Sequence, residues 1–314
     1  MPESQPRINY ARCRLSSLLD EGVTVKTNDA LEIPADVREQ LHKQGYVILK
    51  RVFTSDEVHS LRTSCDNFFR NQKHMRSHLG RNMPNATRHV PEIHWLYSHP
   101  NVLAAFRAAL GTEDILFTRH CDIAKNRLSG WHKDSGEAEP YFSGDYFAAE
   151  DCQVYKMAVY LQPHRDGRGL WVKPGSHWTP DKESGEALHL DTEAGDAILF
   201  DVRLTHSGAF GGWVEKLLGR FGRRVFRSPH PKQDHALLVR LKDAYWWVRR
   251  RSNKFSIFFT YGFPNNYTSE FSERNMERQR AQLAQFDFHG SLVSDEPLIR
   301  TLLDAGVKVF GEDT

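Results

Sequence analysis

The chain has 314 residues, enough for one large domain with its own core or for two small ones. Hydrophobic residues make up 39% and charged residues 26%, which excludes wholesale disorder, and a net charge of +2 excludes a global field that would dictate the partner. Four scattered cysteines (Cys13, Cys65, Cys121, Cys152) form no C-x-x-C pair, which argues against a zinc knuckle, a dithiol motif or a disulfide framework and for reduced thiols.

Residues 1–30 are polar, carry no apolar run of the signal-peptide kind, and are expected to form a loose arm. The longest apolar stretches are runs such as AILF and FSIFF, so no membrane span is expected and the protein is read as cytoplasmic. Val37 and Leu41 have helical spacing, Gly45 is the expected stop, and Tyr46-Val47-Ile48-Leu49 reads as a buried strand. Thr54-Ser55-Asp56-Glu57 reads as a capping box opening a helix with Val58, Leu61 and Phe68 on one face. Residues 71–92, rich in His, Arg and Asn, read as a loop, and residues 99–111 as a short helix stopped by Gly111.

From about residue 114 the texture changes to short β-branched and aromatic runs separated by Gly, Pro and Asp turns, which predicts a sandwich or jelly roll rather than a parallel sheet. Residues 212–251 interrupt it. They hold eleven Lys and Arg against three acids, so the segment carries +8 in a chain of +2. At the C-terminus, SERNMERQRAQLAQFD reads as an exposed charged helix and DEPLIRTLLDAGVKVF as a packed one. The expected organisation is a single domain, 1–314: the arm 1–30, a helical support region 31–113, a β core 114–263 with the basic insertion 212–251, and C-terminal helices 264–314.

Trp131-His132-Lys133-Asp134 carries an H-x-D spacing. In a strand, residues i and i+2 point to the same face, so His132 and Asp134 can bind one ion together. His206 follows the apolar strand Ala197-Ile198-Leu199-Phe200 and is the candidate third ligand. Two imidazoles and a carboxylate make a facial triad that suits Fe(II) and leaves positions open, whereas a structural zinc site prefers four protein ligands. H-x-D alone is a weak signal, since an exposed polar strand end produces it by chance.

Further segments occur in an order that narrows the reading. LHKQGYVILKRVFTSDEVHSLR, WHKD, YLQPHRDGRGLWVKPGSH, GDAILFDVRLTHSG and RRSNKFSIFFTYG together resemble the phytanoyl-CoA dioxygenase-like (PhyH) family of Fe(II)/2-oxoglutarate-dependent oxygenases. The resemblance covers most of residues 35–263. It implies a mainly β fold with flanking helices, a double-stranded β-helix (jelly roll, cupin-like). It implies Fe(II) on His132, Asp134 and His206, with 2-oxoglutarate and O2 as cosubstrates, and no catalytic residue beyond the metal ligands. The implied reaction is hydroxylation of an unactivated C–H bond of a small molecule, or a desaturation or ring closure from the same chemistry. Asp134 fills the position that halogenases of related fold leave vacant for a halide, which argues against halogenation.

The far carboxylate of 2-oxoglutarate needs a cation. The family places it at the start of the closing strand, but here the insertion separates that strand from His206. Arg251 is the first choice, because RSNKF matches some relatives, with a solvated charge as its bland alternative. Lys254, which shares a face with Ser256, is the rival.

The insertion suits a lid over an anionic substrate. A solvated loop over a sheet edge is the plainer reading, and nucleic-acid contact through Arg beside Phe221, Phe226, Trp246 and Trp247 lacks any accompanying motif, so no nucleic-acid partner is expected. Trp131 reads as core rather than as a metal neighbour. Only one of Tyr155 and Lys156 can face the barrel interior, and Ser176 and His177 are expected to shape a turn. His120, His164, His189, His230 and His235 are expected at the surface. Two further readings stand beside the oxygenase: a non-catalytic jelly-roll binding protein, and an iron oxygenase that does not use 2-oxoglutarate.

Overall fold

The computed structural model describes residues 31–71, 80–136, 139–165, 169–208, 253–285 and 292–312, with isolated positions between 209 and 252. The expected arm 1–30, His230, Arg251 and most of the insertion lie outside the described residues.

The helical support follows its sequence signals. Helix α1 (Val37–Gln44) stops at Gly45, whose φ is 80° and whose N–H donates to the Leu41 carbonyl at 2.8 Å. A Cβ there would also meet His177 at 2.6 Å, so glycine answers both the left-handed backbone and a close approach. The capping box is present at the start of α2 (Ser55–Asn71). Thr54 Oγ1 accepts the Glu57 N–H at 3.3 Å, and the Glu57 carboxylate accepts the Thr54 N–H at 2.8 Å. Helix α3 (His94–Tyr97) leads to α4 (Pro100–Leu110), which ends at Gly111 with φ 68°.

Seven strands form the large sheet: β1 (Tyr46–Leu49), β2 (Arg81–Pro84), β3 (Leu116–Lys125), β4 (Val154–Tyr160), β7 (Ala197–Asp201), β9 (Phe255–Gly262) and β10 (Lys308–Val309). Their order is β1-β7-β4-β9-β3-β10, with β2 also on β3; only the β10–β3 pair is parallel. A smaller sheet holds β5 (Leu170–Val172), β6 (Leu188–Leu190) and β8 (His206–Ser207) in the order β6-β5-β8, and a bridge from His132 to His206 extends it. The two sheets face each other as a double-stranded β-helix, with helices packed on the outside of the large one.

Strand alternation divides the core in two. Tyr155, Met157 and Val159 of β4, with Ile257, Phe259 and Tyr261 of β9, face the helices. Ala158, Tyr160, Ile198 and Phe200 face the small sheet, with Phe258 packed against them. Lys156 shares the parity of Ala158 and Tyr160, so it, and not Tyr155, faces the barrel interior. Helix-side packing is aromatic: Phe259 lies 5.3 Å from Tyr97 and Phe106 lies 4.5 Å from Tyr261, ring centre to ring centre. Each such buried ring stabilises the fold by about 2–3 kcal/mol.

Four expectations need correction. The segment 71–92 is not all loop: β2 pairs with the end of β3, and Asn82, Met83 and Pro84 are buried on it. Its polar composition hides a strand whose backbone is satisfied by pairing. Helix α5 (Asn266–Gln285) is not merely an exposed charged helix. Phe271, Ser272, Asn275 and Gln279 are buried, and Gln279 accepts the Asn85 N–H at 2.7 Å. A buried face made of Ser, Asn and Gln carries no apolar stripe for a periodicity argument to find. His120 and His164, expected at the surface, are each 1% exposed. His189 and His235 are half-buried, and so is Trp131, which carries the Lys173 ammonium over its ring at 5.3 Å rather than sitting in the core.

Helix α6 (Glu296–Asp304) packs through Leu298, Ile299 and Leu302 as its pattern predicts. Cys65, Cys121 and Cys152 are buried free thiols, and burial pushes Cys65 and Cys121 up to about 12. Among the described residues no helix is long and apolar enough to cross a membrane.

Candidate metal centre

His132 and His206 exchange both backbone hydrogen bonds, at 3.0 and 2.9 Å, so their side chains rise from paired positions with ring centres 4.3 Å apart. The Asp134 N–H donates to the Val202 carbonyl at 2.9 Å, which brings the carboxylate back over the same spot. The ligand atoms of His132, Asp134 and His206 all lie within 4.8 Å of one another.

The two imidazoles are held alike. His132 Nδ1 lies 2.8 Å from the Gly130 carbonyl and His206 Nδ1 lies 2.9 Å from the Leu204 carbonyl. A carbonyl only accepts, so Nδ1 carries the proton in both rings and each Nε2 keeps its lone pair for a metal. His206 Nε2 stands 3.2 Å from Asp134 Oδ2 and His132 Nε2 stands 3.9 Å from Oδ1. Burial, reinforced by the neighbouring His206, pulls His132 down to about 4, so it is neutral at ordinary pH. Burial alone would raise Asp134; the Lys156 ammonium outweighs it and holds the carboxyl well below its ordinary range. Lys156 Nζ donates to Asp134 Oδ2 at 2.5 Å. Sequence reasoning left Lys156 undecided because its role rests on strand parity and on a partner 22 residues away.

Lys133, between the two candidate ligands, points the other way and is 5% exposed. Its ammonium donates to the carbonyls of Ser176, at 2.6 Å, and Arg203, at 2.8 Å, and burial pulls its pKa down to about 8. Ser176 Oγ in turn accepts the Thr205 N–H at 2.9 Å. The PGSH turn therefore shapes the loop that carries His206, as expected of Ser176, while His177 Nε2 sits 3.0 Å from the His42 carbonyl, away from the triad.

Deeper in the barrel lies Lys254, 6% exposed. Asn126 Oδ1 accepts its backbone N–H at 2.8 Å, and its ammonium stands over the Tyr160 ring at 5.3 Å. The Tyr160 hydroxyl is buried with no hydrogen-bond partner among the described residues. Ser256, on the same face of β9 as Lys254, is 3% exposed. A cation, a hydroxyl and an unsatisfied phenol in one recess fit a carboxylate. A third cluster, invisible in the sequence, joins β3 to α5. Arg278 donates to the Asp122 carboxylate at 3.3 Å and to Asn275 Oδ1 at 2.9 Å, and His120 Nδ1 lies 2.6 Å from Thr260 Oγ1.

The profile of the phytanoyl-CoA dioxygenase (PhyH) family matches residues 41–209, more than half of the chain and both ends of the triad. The chain belongs to that family. PhyH membership makes it an Fe(II)/2-oxoglutarate-dependent enzyme, and its donor set of two imidazole nitrogens and one carboxylate suits Fe(II). No curated protein matches this PhyH chain by sequence.

Solved structures similar to it include SnoN, a non-heme alpha ketoglutarate dependent epimerase from nogalamycin biosynthesis. SnoN is 16% identical over 72% of this chain and 80% of its own, with a TM-score of 0.47. AviO1 from Streptomyces viridochromogenes Tue57 is 15% identical over 77% and 97%, with a TM-score of 0.49. EctD from S. alaskensis, crystallised with 2-oxoglutarate and 5-hydroxyectoine, is 17% identical over 78% and 81%, with a TM-score of 0.48. At these scores the likeness is one of outline.

Proposed function

We propose that this PhyH-family protein is a cytoplasmic dioxygenase that holds Fe(II) on His132, Asp134 and His206 and hydroxylates an unactivated C–H bond of a small anionic metabolite. The observation that carries the reading is the pair of Nε2 atoms, each freed by an Nδ1 bond to a carbonyl, converging on one carboxylate. Bound there, iron with 2-oxoglutarate and O2 supplies the oxidising power to turn C–H into C–OH, with succinate and CO2 as coproducts. The chain's own part is placement. Lys156 pins Asp134 and keeps it ionised, Lys133 fixes the ligand loop, and Lys254 with Ser256 and Tyr160 receives the far carboxylate of 2-oxoglutarate. That role goes to Lys254 because its ammonium stands in the barrel beside an unsatisfied hydroxyl. Desaturation or ring closure of the same substrate uses the same site.

The insertion is read as the substrate lid. Tyr245, within it, packs against Leu128, four residues before His132. The test is succinate release from 2-oxoglutarate by the Fe(II)-loaded protein under air, supplied with a cell metabolite extract. Succinate is expected, and its loss in His132→Ala and His206→Ala is expected with it. A protein that makes none, and whose Fe(II) affinity survives His132→Ala, is a jelly-roll binding protein instead. Succinate-free oxygen consumption would favour an iron oxygenase that dispenses with 2-oxoglutarate.

A further inference from the structure

The cations in and around the barrel differ in how they are occupied. Lys156 is held by Asp134, and Arg278 by Asp122, Asn275 and Gln282. Lys254 stands over Tyr160 where the cosubstrate carboxylate is assigned. Arg127 differs: its side chain is exposed, and among the described residues its guanidinium makes no hydrogen bond or ion pair.

The backbone fixes where Arg127 stands. The residue before it, Asn126, exchanges hydrogen bonds with Lys254, its N–H to the Lys254 carbonyl and its Oδ1 from the Lys254 N–H, both at 2.8 Å. Two residues after it, the Ser129 carbonyl accepts from Ser207 Oγ at 2.8 Å and Ser129 Oγ accepts the Gly208 N–H at 2.6 Å, beside His206. Leu128, between them, is buried under Tyr245. Arg127 is thus carried on a strap that runs from the cosubstrate recess to the metal triad. Its pKa is lowered by the protein packed around it, and the charges of Asp122, Arg278 and Asp134 reach it.

The charge of the loaded site points the same way. With the dication and the 2-oxoglutarate dianion in place, Lys156 and Lys254 against Asp134 leave the interior positive, the Asp122–Arg278 pair adds nothing, and Arg127 adds one more charge. A concave site of that sign concentrates anions. Arg also presents a fork that matches an oxyanion bidentately.

We propose that Arg127 is the substrate anchor, binding a carboxylate or phosphate of the substrate beside the metal triad and so choosing which C–H bond faces it. This rests on the oxygenase reading for what happens next, but the anchoring itself is a binding property. The test uses the full chain loaded with Fe(II) and 2-oxoglutarate without oxygen, titrated calorimetrically with benzoate, phenyl phosphate and uncharged benzamide.

At least one anion is expected to bind about ten- to hundredfold tighter than benzamide, the range of a charge-assisted hydrogen bond, and the better of the two names the oxyanion. Arg127→Met is expected to erase that preference, Arg127→Lys to restore part of it, and neither to move the 2-oxoglutarate dissociation constant by more than about twofold. No preference in the wild type, a preference that survives Arg127→Met, or loss of 2-oxoglutarate binding in Arg127→Met would each overturn the proposal. If the wild type binds no 2-oxoglutarate, the oxygenase reading falls, while the anion preference in the metal-free protein still reports on Arg127.

Discussion

The two faces of the large sheet are cut from the same strands and obey opposite rules. Outward, Met157, Val159, Ile257, Phe259 and Tyr261 meet helices in a dry, aromatic contact. Inward, one residue along, the buried polar Lys156, Ser256, Thr260 and Lys254 stand beside an apolar cluster that includes Ala158, Ile198 and Phe200. Burying charge costs stability unless it is paired, and a hydrophobic replacement is often neutral or better. The outer face therefore accounts for why the chain folds, and the inner face for what the fold is for. The lesson is that fold and site can be perturbed separately although they alternate along one strand.

The largest effect is expected on the outer face. Phe259→Ala removes a ring packed against Tyr97, Phe106 and Tyr261 and is expected to cost about 3–5 kcal/mol in urea denaturation. Protein that still folds should bind Fe(II) as the wild type does; a parallel loss of metal affinity would break the division. On the inner face, His206→Ala is expected to weaken Fe(II) binding by more than about a hundredfold in a competitive chelator titration. The melting temperature should stay within a few degrees.

Lys254→Met is the sharper test. It should raise the 2-oxoglutarate dissociation constant about ten- to hundredfold while leaving stability unchanged or improved. Unchanged 2-oxoglutarate affinity would return the role to Arg251. The smallest effect concerns His89 on the helix side, which burial, with Arg88 nearby, pulls from 6.5 to about 4. The folded state keeps it neutral while the unfolded chain takes up a proton, so its contribution is complete above pH 6.5 and drains away as the pH falls toward 4. Between pH 7 and pH 5 the wild type should lose about 1–2 kcal/mol more than His89→Asn, measured by denaturation at both values.

What could be read from the sequence follows the same division. The helix stops at Gly45 and Gly111, the capping box at Thr54, and the outward aromatics announce themselves locally, through turn chemistry and period. The convergence of His132, Asp134 and His206 was legible because two of them sit at H-x-D spacing and the third follows a strong apolar strand. Lys156 was not separable from Tyr155, since parity within a strand has no meaning until its neighbours are known. Arg278 reaches Asp122 across 156 residues of sequence, and His120 is buried against Thr260 across 140. Such contacts leave no local trace. The face of α5 that carries Asn275 and Gln279 inward is polar, so composition pointed to solvent where hydrogen bonds had satisfied the buried groups.

The Lys133 clamp has a consequence for how the protein lives with its metal. The loop leading to His206 is tied to the Ser176 turn, and both are tied to the segment bearing His132 and Asp134, by bonds made between protein groups. A zinc finger earns its fold from its metal. Here the hydrogen bonds that fix the proposed ligands are the protein's own, so on this reading iron is a replaceable part. A chelator is then expected to strip it and fresh Fe(II) to reload the same folded molecule without an unfolded intermediate.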